Sequence, residues 1–509
     1  MSTTILGIDI GTGGSRALLM NQDGTLIAST TAEHAGFVSK QAAWAEQDPD
    51  DWWRACQRAI RNVLATSGVS PGQIACIGLS GQMHGTVVLD RAGGVLRPAI
   101  IWCDQRGEED ARWLIETVGA ERLLQLTCNP ALTNFTLIKL LWLRRSEPDV
   151  WRKTHHVLLP KDYVRFCLSG EYAIDVAEAS GTLLLDVSRR CWSQELVSSV
   201  GIEASILPAV FESTDVCARV SKSAAKLTGL LEGTPIVAGA GDQAAGAVGI
   251  GLTHPGAVGA TIGTSGVMFA ATDRPVLDPK GRLHTFCHAI PNRWHVMGVT
   301  QAAGLSLRWL RDNFDHESMD LRLASQDLRA DAYTRMANEA AGIPPGSDGL
   351  LWGPYLMGER TPHLDPNIRA ALVGIAAHHT RAHVIRAIME GVAFSLRDTL
   401  TIFKELRVPV DQIRLSGGGA RSALWRQIQA DIYGHPVNTV QAEEGAAFGA
   451  ALLAGTGAGI WKTVDDACDA VVRVTDSIPF RPEVHDLMNE IYPRYRRLYP
   501  ALHSIDASS

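Results

Sequence analysis

The sequence predicts a duplicated α/β protein with a cleft between the two copies. Three observations carry that prediction. The chain opens on a strand, a glycine turn and a second strand; the same signature, with a Gly-Thr bend, returns past residue 250; and each half then runs through a helix into a strand that ends on glycines. At 509 residues the chain can hold two large domains with buried cores.

The first strand is the apolar run Ile5 to Ile10, and Gly11-Thr12-Gly13-Gly14 is its turn. Ser15 to Met20 is the second strand, Asn21 to Gly24 a second turn, and Thr25 to Thr30 a third strand. Asp48-Pro49 signals a helix start, which predicts a helix over Asp51 to Leu64. Ile74 to Leu79 follows as a strand that ends on Ser80-Gly81-Gln82-Met83-His84-Gly85.

Further on, Thr234 to Asp242 reads as a strand entering a glycine-rich turn, and Gly246, Gly249 and Gly251 make a poor helix after it. Gly256 to Ala271 is again strand, turn and strand, with Gly263-Thr264-Ser265-Gly266 matching Gly11 to Gly14. A long helix is expected from about Ala382 to Leu406, with Ile385, Ile388, Val392, Leu396, Leu400 and Phe403 on one face. The strand Gln412 to Leu415 ends on Ser416-Gly417-Gly418-Gly419-Ala420, and Leu424 to Tyr433 is helical. In Pro479 to Ser509, the amphipathic stretch Glu483 to Leu498 is expected to pack as a helix, with a homodimer contact as its alternative role, before a polar tail.

Composition narrows the function. A formal charge of −7 excludes a general nucleic-acid or membrane-surface binder, because no basic excess exists to displace counterions. Nine cysteines stand singly, without C-x-x-C, which fits reduced thiols and a cytoplasmic location. The N-terminus lacks a signal-peptide pattern, and the uncharged stretch Gln243 to Thr272 is interrupted by His254-Pro255 and repeated glycine, so no membrane span is expected.

Glycine is abundant, at 48 residues, and the informative part stands at strand ends. A strand running into Gly-Thr-Gly-Gly leaves backbone N–H groups unobstructed, which suits a phosphate; an ordinary hairpin turn is the plainer alternative. Arg16 and the Thr12 hydroxyl add donors. Asp9 ends the first strand beside that turn, and a carboxylate there repels a phosphate unless Mg²⁺ lies between them, reached through water. Asp242, at the tip of another strand, has the exposure a base needs to receive an alcohol proton, although standing alone it reads first as a loop cap.

Competing motifs fail on their own requirements. Gly-Lys occurs nowhere, which excludes a Walker A loop. Gly239-Ala240-Gly241-Asp242-Gln243-Ala244 matches a dinucleotide fingerprint in spacing, yet it puts an anion inside the pyrophosphate loop. His155-His156, His378-His379 and the run His284 to His288 lack zinc-site spacing, and Ser80 breaks the G-x-S-x-G elbow.

Several segments together identify a resemblance: Gly7-Ile8-Asp9-Ile10-Gly11-Thr12, Gly81-Gln82-Met83-His84-Gly85, Leu158-Leu159-Pro160-Lys161-Asp162-Tyr163, Ile262-Gly263-Thr264-Ser265-Gly266 and Gly358-Glu359-Arg360-Thr361-Pro362. Trp44 to Pro49 and Ser416 to Arg421 are shared more broadly. The chain resembles the FGGY carbohydrate kinases, and within them the bacterial kinases of D-xylulose. The resemblance implies two actin-like (ribonuclease H-like) ATPase domains with a central cleft: residues 1–245 on the sugar side, 246–475 on the nucleotide side, then a C-terminal helix and tail over 476–509. It implies ATP-dependent phosphorylation of D-xylulose, with Mg²⁺. Ribulose, xylitol or glycerol as acceptor, or a non-kinase actin-like ATPase, are the alternatives.

Residue by residue, the resemblance assigns Asp242 as catalytic base and Asp9 as the carboxylate that manages Mg²⁺ and the phosphates. Met83 and His84, with Asp242 and Gln243, fall at the ketose. Gly11, Thr12, Gly13 and Arg16 belong to one phosphate hairpin, Gly263, Thr264 and Ser265 to the other, and Gly418, Gly419 and Ala420 to the adenosine turn. Gln243 is a departure, since similar D-xylulose kinases often carry Asn after the base, whereas glycerol kinases carry Asp-Gln.

Overall fold

The protein is built around two sheets, each containing apolar strands buried on both faces. The computed structural model describes residues 3–314, 326–441 and 445–506. In the first half the strands are β1 (Thr4–Ile10), β2 (Gly14–Asn21), β3 (Leu26–Glu33), β4 (Ile74–Gly81), β5 (Val216–Arg219), β6 (Pro235–Val237) and β7 (Ala240–Gly241). They form one seven-stranded sheet in the order β5-β6-β4-β1-β2-β3, with β7 beside β4. β1 runs antiparallel to β2 and parallel to β4. The helices used below are α1 (Pro49–Ser67), α2 (Thr136–Ser146), α3 (Pro160–Ser169), α4 (Val176–Ser180) and α5 (Asp242–Gly249).

α1 shows why the local sequence folds as it does. Asp48 caps it by accepting from the Asp50 N–H, Pro49 opens it, and Gly68 closes it at φ 67°. Trp52, Cys56, Ile60 and Val63 recur at helical spacing and are buried against the sheet.

The second half repeats the plan. β8 (Gly256–Ile262), β9 (Gly266–Thr272), β10 (His284–Cys287), β11 (Trp294–Thr300), β12 (Val410–Gly417), β13 (Val437–Val440) and β14 (Val474–Ile478) lie in the order β10-β11-β9-β8-β12-β13-β14. Its helices include α6 (Gly304–Phe314), α7 (Arg381–Glu405), α8 (Ala423–Tyr433), α9 (Gly445–Gly457) and α10 (Pro482–Arg496). Each sheet therefore has an antiparallel trio, β3-β2-β1 or β11-β9-β8, flanked by two parallel strands, β4 and β6 or β12 and β13. That shared order is the duplication the sequence predicts.

The expected long helix is α7, displaced by one residue at each end, and the expected amphipathic helix is α10, which buries Met488, Ile491, Tyr492 and Tyr495 in the second core. Residues 507–509 of the predicted tail lie outside the described residues. Among the described residues no helix is long and apolar enough to cross a membrane.

Two expectations need correction. Asp242 to Gly249 is a helix despite its glycines, because α5 crosses α9 at backbone contact: a Cβ on Gly249 would stand 2.6 Å from the Gly445 carbonyl oxygen, and one on Gly449 would run into that of Ala245. Here glycine admits a neighbour and does not break a helix. The two Gly-Thr turns also differ in length. β1 and β2 are joined across four residues, with Ile10 opposite Ser15, whereas β8 and β9 are joined across three, with Ile262 opposite Gly266.

α9 belongs to the second half by sequence but packs on the first sheet. Gly7 of β1 and Gly78 of β4 are directly paired, and a side chain on either would collide with the α9 backbone, at the carbonyls of Ala447 and Ala450. The core cluster at this junction mixes Ile5, Met20 and Val237 with Ala447, Leu452 and Leu453.

Candidate active site

Asp242 opens α5 directly after β7, so a strand end delivers it and the α9 crossing holds it. It borders a cavity of about 580 Å³, within the usual range for small-molecule sites, that also touches Gln243, Thr261, Gly417, Gly418 and Ala420. Burial, then the charge of Asp9, pushes the Asp242 carboxyl up to about 7. Gln243 donates to Asp242 Oδ1 at 3.4 Å.

Asp9 lies on β1 opposite Arg16 of β2 and Ser80 of β4. Burial raises its carboxyl, and Oδ1 is a buried atom with no hydrogen-bond partner. Asp9, Gly13 and Arg16 border a second cavity, of about 420 Å³, and Gly445 borders both. Of the residues assigned by sequence, the structure thus collects Asp242, Gln243, Gly418 and Ala420 on one cavity and Asp9, Gly13 and Arg16 on the adjoining one. Gly419 is buried beneath its turn, against Ile262. Gly263, Thr264 and Ser265 stand at the tip of the β8–β9 hairpin and border neither cavity. The carbonyls of Gly263 and Thr264 accept from the Gly304 and Leu305 N–H groups at the start of α6.

The turn after β1 is held from behind. The Gly11 carbonyl accepts from the His34 ring at 3.1 Å, that of Gly13 from the His34 N–H at 3.3 Å, and that of Thr12 from Gln47 Nε2 at 2.7 Å. Arg16 Nε donates to Thr31 Oγ1 at 3.2 Å.

Met83 and His84 follow β4. Met83 is buried against the backbone of Gly241: a Cβ on that glycine would stand 2.8 Å from Met83 Cγ and 2.9 Å from Glu178 Oε1. His84 occupies the left-handed region at φ 65°, a conformation that costs a non-glycine residue about 1 kcal/mol. Lys139 Nζ at 2.6 Å and Thr136 Oγ1 at 3.2 Å hold it there by donating to its carbonyl. Burial, with the positive charges of Lys139 and Arg360 nearby, drives the His84 imidazole down to about 3. The ring is neutral, so Nδ1 donates to the Gly181 carbonyl at 2.8 Å and Nε2 is left as an acceptor. Phe135 and Phe286 enclose it.

Four residues without a role legible in the sequence stand around this region. Lys139 fixes the His84 backbone, and burial brings its ammonium down to about 7. Arg360, in the segment Gly358 to Pro362, brings a charge from the second half to His84 and His284. Gln47 lay in plain view in Trp44 to Pro49. Glu178, a lone acid among small residues on α4, is fully buried with neither carboxyl oxygen hydrogen-bonded.

Two matched α/β halves and a partly buried carboxylate on a cavity between them define a class of two-domain phosphotransferases, and this chain belongs to the FGGY family of carbohydrate kinases: the family's N-terminal domain matches residues 4–249 and its C-terminal domain residues 258–458. The particular relatives are sugar and sugar-acid kinases. The chain is 37% identical to a xylulose kinase of Bacillus subtilis over 97% of its length and 96% of that protein's, and 30% identical to a gluconokinase of the same organism over 98% and 95%. A crystal structure of xylulose kinase from Rhodospirillum rubrum superposes with a TM-score of 0.89 at 30% identity, covering 99% of both chains.

Proposed function

We propose that the protein transfers the γ-phosphate of ATP to the 5-hydroxyl of D-xylulose, giving D-xylulose 5-phosphate. The observation that carries this reading is the position of Asp242, which borders the larger cavity while the residue before it packs on Met83. On this reading the first half holds the sugar and the second half the nucleotide, with Gly417 to Ala420 beside the adenosine. Similarity to the xylulose kinase of Bacillus subtilis supports the choice of sugar.

The chemistry asked of the residues is modest. In a loose phosphoryl transition state most of the rate comes from alignment and charge neutralisation. His84 Nε2 accepts from a sugar hydroxyl, and Asp242 accepts the proton of the attacking hydroxyl. Asp9, with its unpartnered buried oxygen, fits a Mg²⁺ site reached through water, and the ion would neutralise phosphate charge there. The nine thiols, none in a disulfide, suit the cytoplasm.

A second reading has one observation in its favour. Arg360 stands near His84, and a guanidinium there suits the carboxylate of gluconate. The neutral acceptor His84 Nε2 disfavours it, because a lone pair repels a carboxylate. The deciding experiment is a comparison of kcat/KM for D-xylulose, D-ribulose, L-ribulose, xylitol, glycerol and gluconate with ATP and Mg²⁺. D-xylulose should lead. Gluconate in first place would replace the reading, and ATP hydrolysis that no polyol stimulates would point to a non-kinase ATPase.

A further inference from the structure

The loop that carries Met83 and His84 is joined to the turn after β1 by a closed ring of hydrogen bonds. Gln82, immediately before Met83, donates from Nε2 to Gln47 Oε1 at 3.0 Å. Gln47 donates from Nε2 to the Thr12 carbonyl at 2.7 Å. The Thr12 hydroxyl closes the ring by donating to Gln82 Oε1 at 3.4 Å, and it accepts from Trp102 Nε1 at 3.0 Å. Gln47 Oε1 also accepts from Trp52 Nε1 at 3.2 Å, which fixes which way its amide faces. Both glutamines are buried, and the Gln82 N–H donates to the Ile10 carbonyl at 2.9 Å.

A peptide's C=O and N–H point in opposite directions. Drawing the Thr12 carbonyl back onto Gln47 therefore sends the Gly13 N–H forward. Gly13 is exposed, borders the cavity with Asp9 and Arg16, and has open space around its Cα. If that peptide turned over, a carbonyl dipole would replace the N–H facing the cavity.

We propose that Gln47 is a positioning residue that holds the Thr12–Gly13 peptide with its N–H toward the transferred phosphate, and that Gln82 ties this orientation to occupancy of the Met83–His84 loop by the sugar. The inference rests on the sugar-kinase reading. It assigns the ring the task of keeping phosphate transfer to sugar ahead of transfer to water.

The test uses Gln47→Glu and Gln47→Leu in the full-length protein. Glutamate retains acceptors for Trp52 and Gln82 but, ionised, offers the Thr12 carbonyl no donor, so both variants should behave alike. Losing one backbone donor at a transition state costs on the order of 10²-fold in rate, and about 10- to 100-fold is expected in kcat here. KM for the sugar should stay within about twofold, and ADP released per sugar phosphorylated should rise above the wild-type ratio. A kcat within about twofold of wild type, or a loss of kcat with the ratio unchanged, overturns the proposal. If Gln47→Leu fails to fold, Gln82→Met cuts the same ring from the sugar side and should raise the same ratio. A wild-type protein that phosphorylates no sugar would instead defeat the kinase reading, and this inference with it.

Discussion

The charge of Asp9 raises the proton affinity of Asp242, so the two carboxylates are not independent. Asp242 must be ionised to take a proton, and Asp9 opposes its ionisation. A cation placed near both would relieve that conflict, which makes the pair sensitive to what the cavities hold.

Removing the proposed base is the most direct test. Asp242→Asn should lower kcat by ~10²–10⁴-fold with nucleotide affinity little changed, the range expected for loss of a general base. Isothermal titration with ATP analogues separates binding from turnover. Near-normal kcat would remove Asp242 from the chemistry.

The pH dependence follows from the same group. With its carboxyl near 7, Asp242 is protonated in mildly acidic solution, so kcat/KM should rise with pH and level off above about 7. The stability effect has the opposite sense. Between the ordinary carboxyl value of 3.8 and about 7, the unfolded chain has lost a proton that the folded protein keeps, so this group makes the fold less stable as pH rises through that window. Asp242→Asn should therefore melt above wild type at pH 8, by differential scanning calorimetry, despite its lowered kcat.

Glu178 should behave as a buried acid without a cation of its own. Lys161 is paired at 2.5 Å with Asp162 and 2.7 Å with Asp175, and Arg165 reaches Asp162 at 2.8 Å, so the two cations there already face two other carboxylates. Burial first, and then the charges of Asp162, Asp175 and Asp242, hold the Glu178 carboxyl well above its usual range against the pull of Lys161. Its folded-state value lies above the unfolded 4.5, so stability is lost as pH rises past 4.5. Glu178→Gln should raise Tm at pH 7 to 8, with the gain shrinking toward pH 4. A lower Tm at pH 8 would mean that Glu178 is ionised and paired.

The α5–α9 crossing gives a contrast within one structure. Gly449→Val drives a side chain into the Ala245 carbonyl and should cost about 1–3 kcal/mol or more, read as a fall in Tm. Gly246→Ala, on the facing helix with open space around it, should be neutral or stabilising by about 0.4–1 kcal/mol. Equal losses from both would show that the crossing is not what selects glycine.

Much of this site was legible because it is built at strand ends. Gly11 to Gly14, Asp242 and Gly417 to Ala420 interrupt apolar runs, and a turn residue after a strand announces itself locally. The hidden part depends on contacts between distant segments. Gln47 is hydrogen-bonded to Gln82, thirty-five positions away, and Lys139 to the carbonyl of His84, fifty-five away. Neither alters a local pattern. Gly249 misled for the same reason, since its partner Gly445 lies in the other half of the chain.

The pairing of Gly7 with Gly78 beneath α9 also sets an order of events during synthesis. β1 is made well before α9, yet the helix that covers its glycine strip ends at Gly457. Until α9 has been made, that strip has no lining, and a chain cut before α9 would display it permanently. The halves repeat one plan, but the first is finished only by the second.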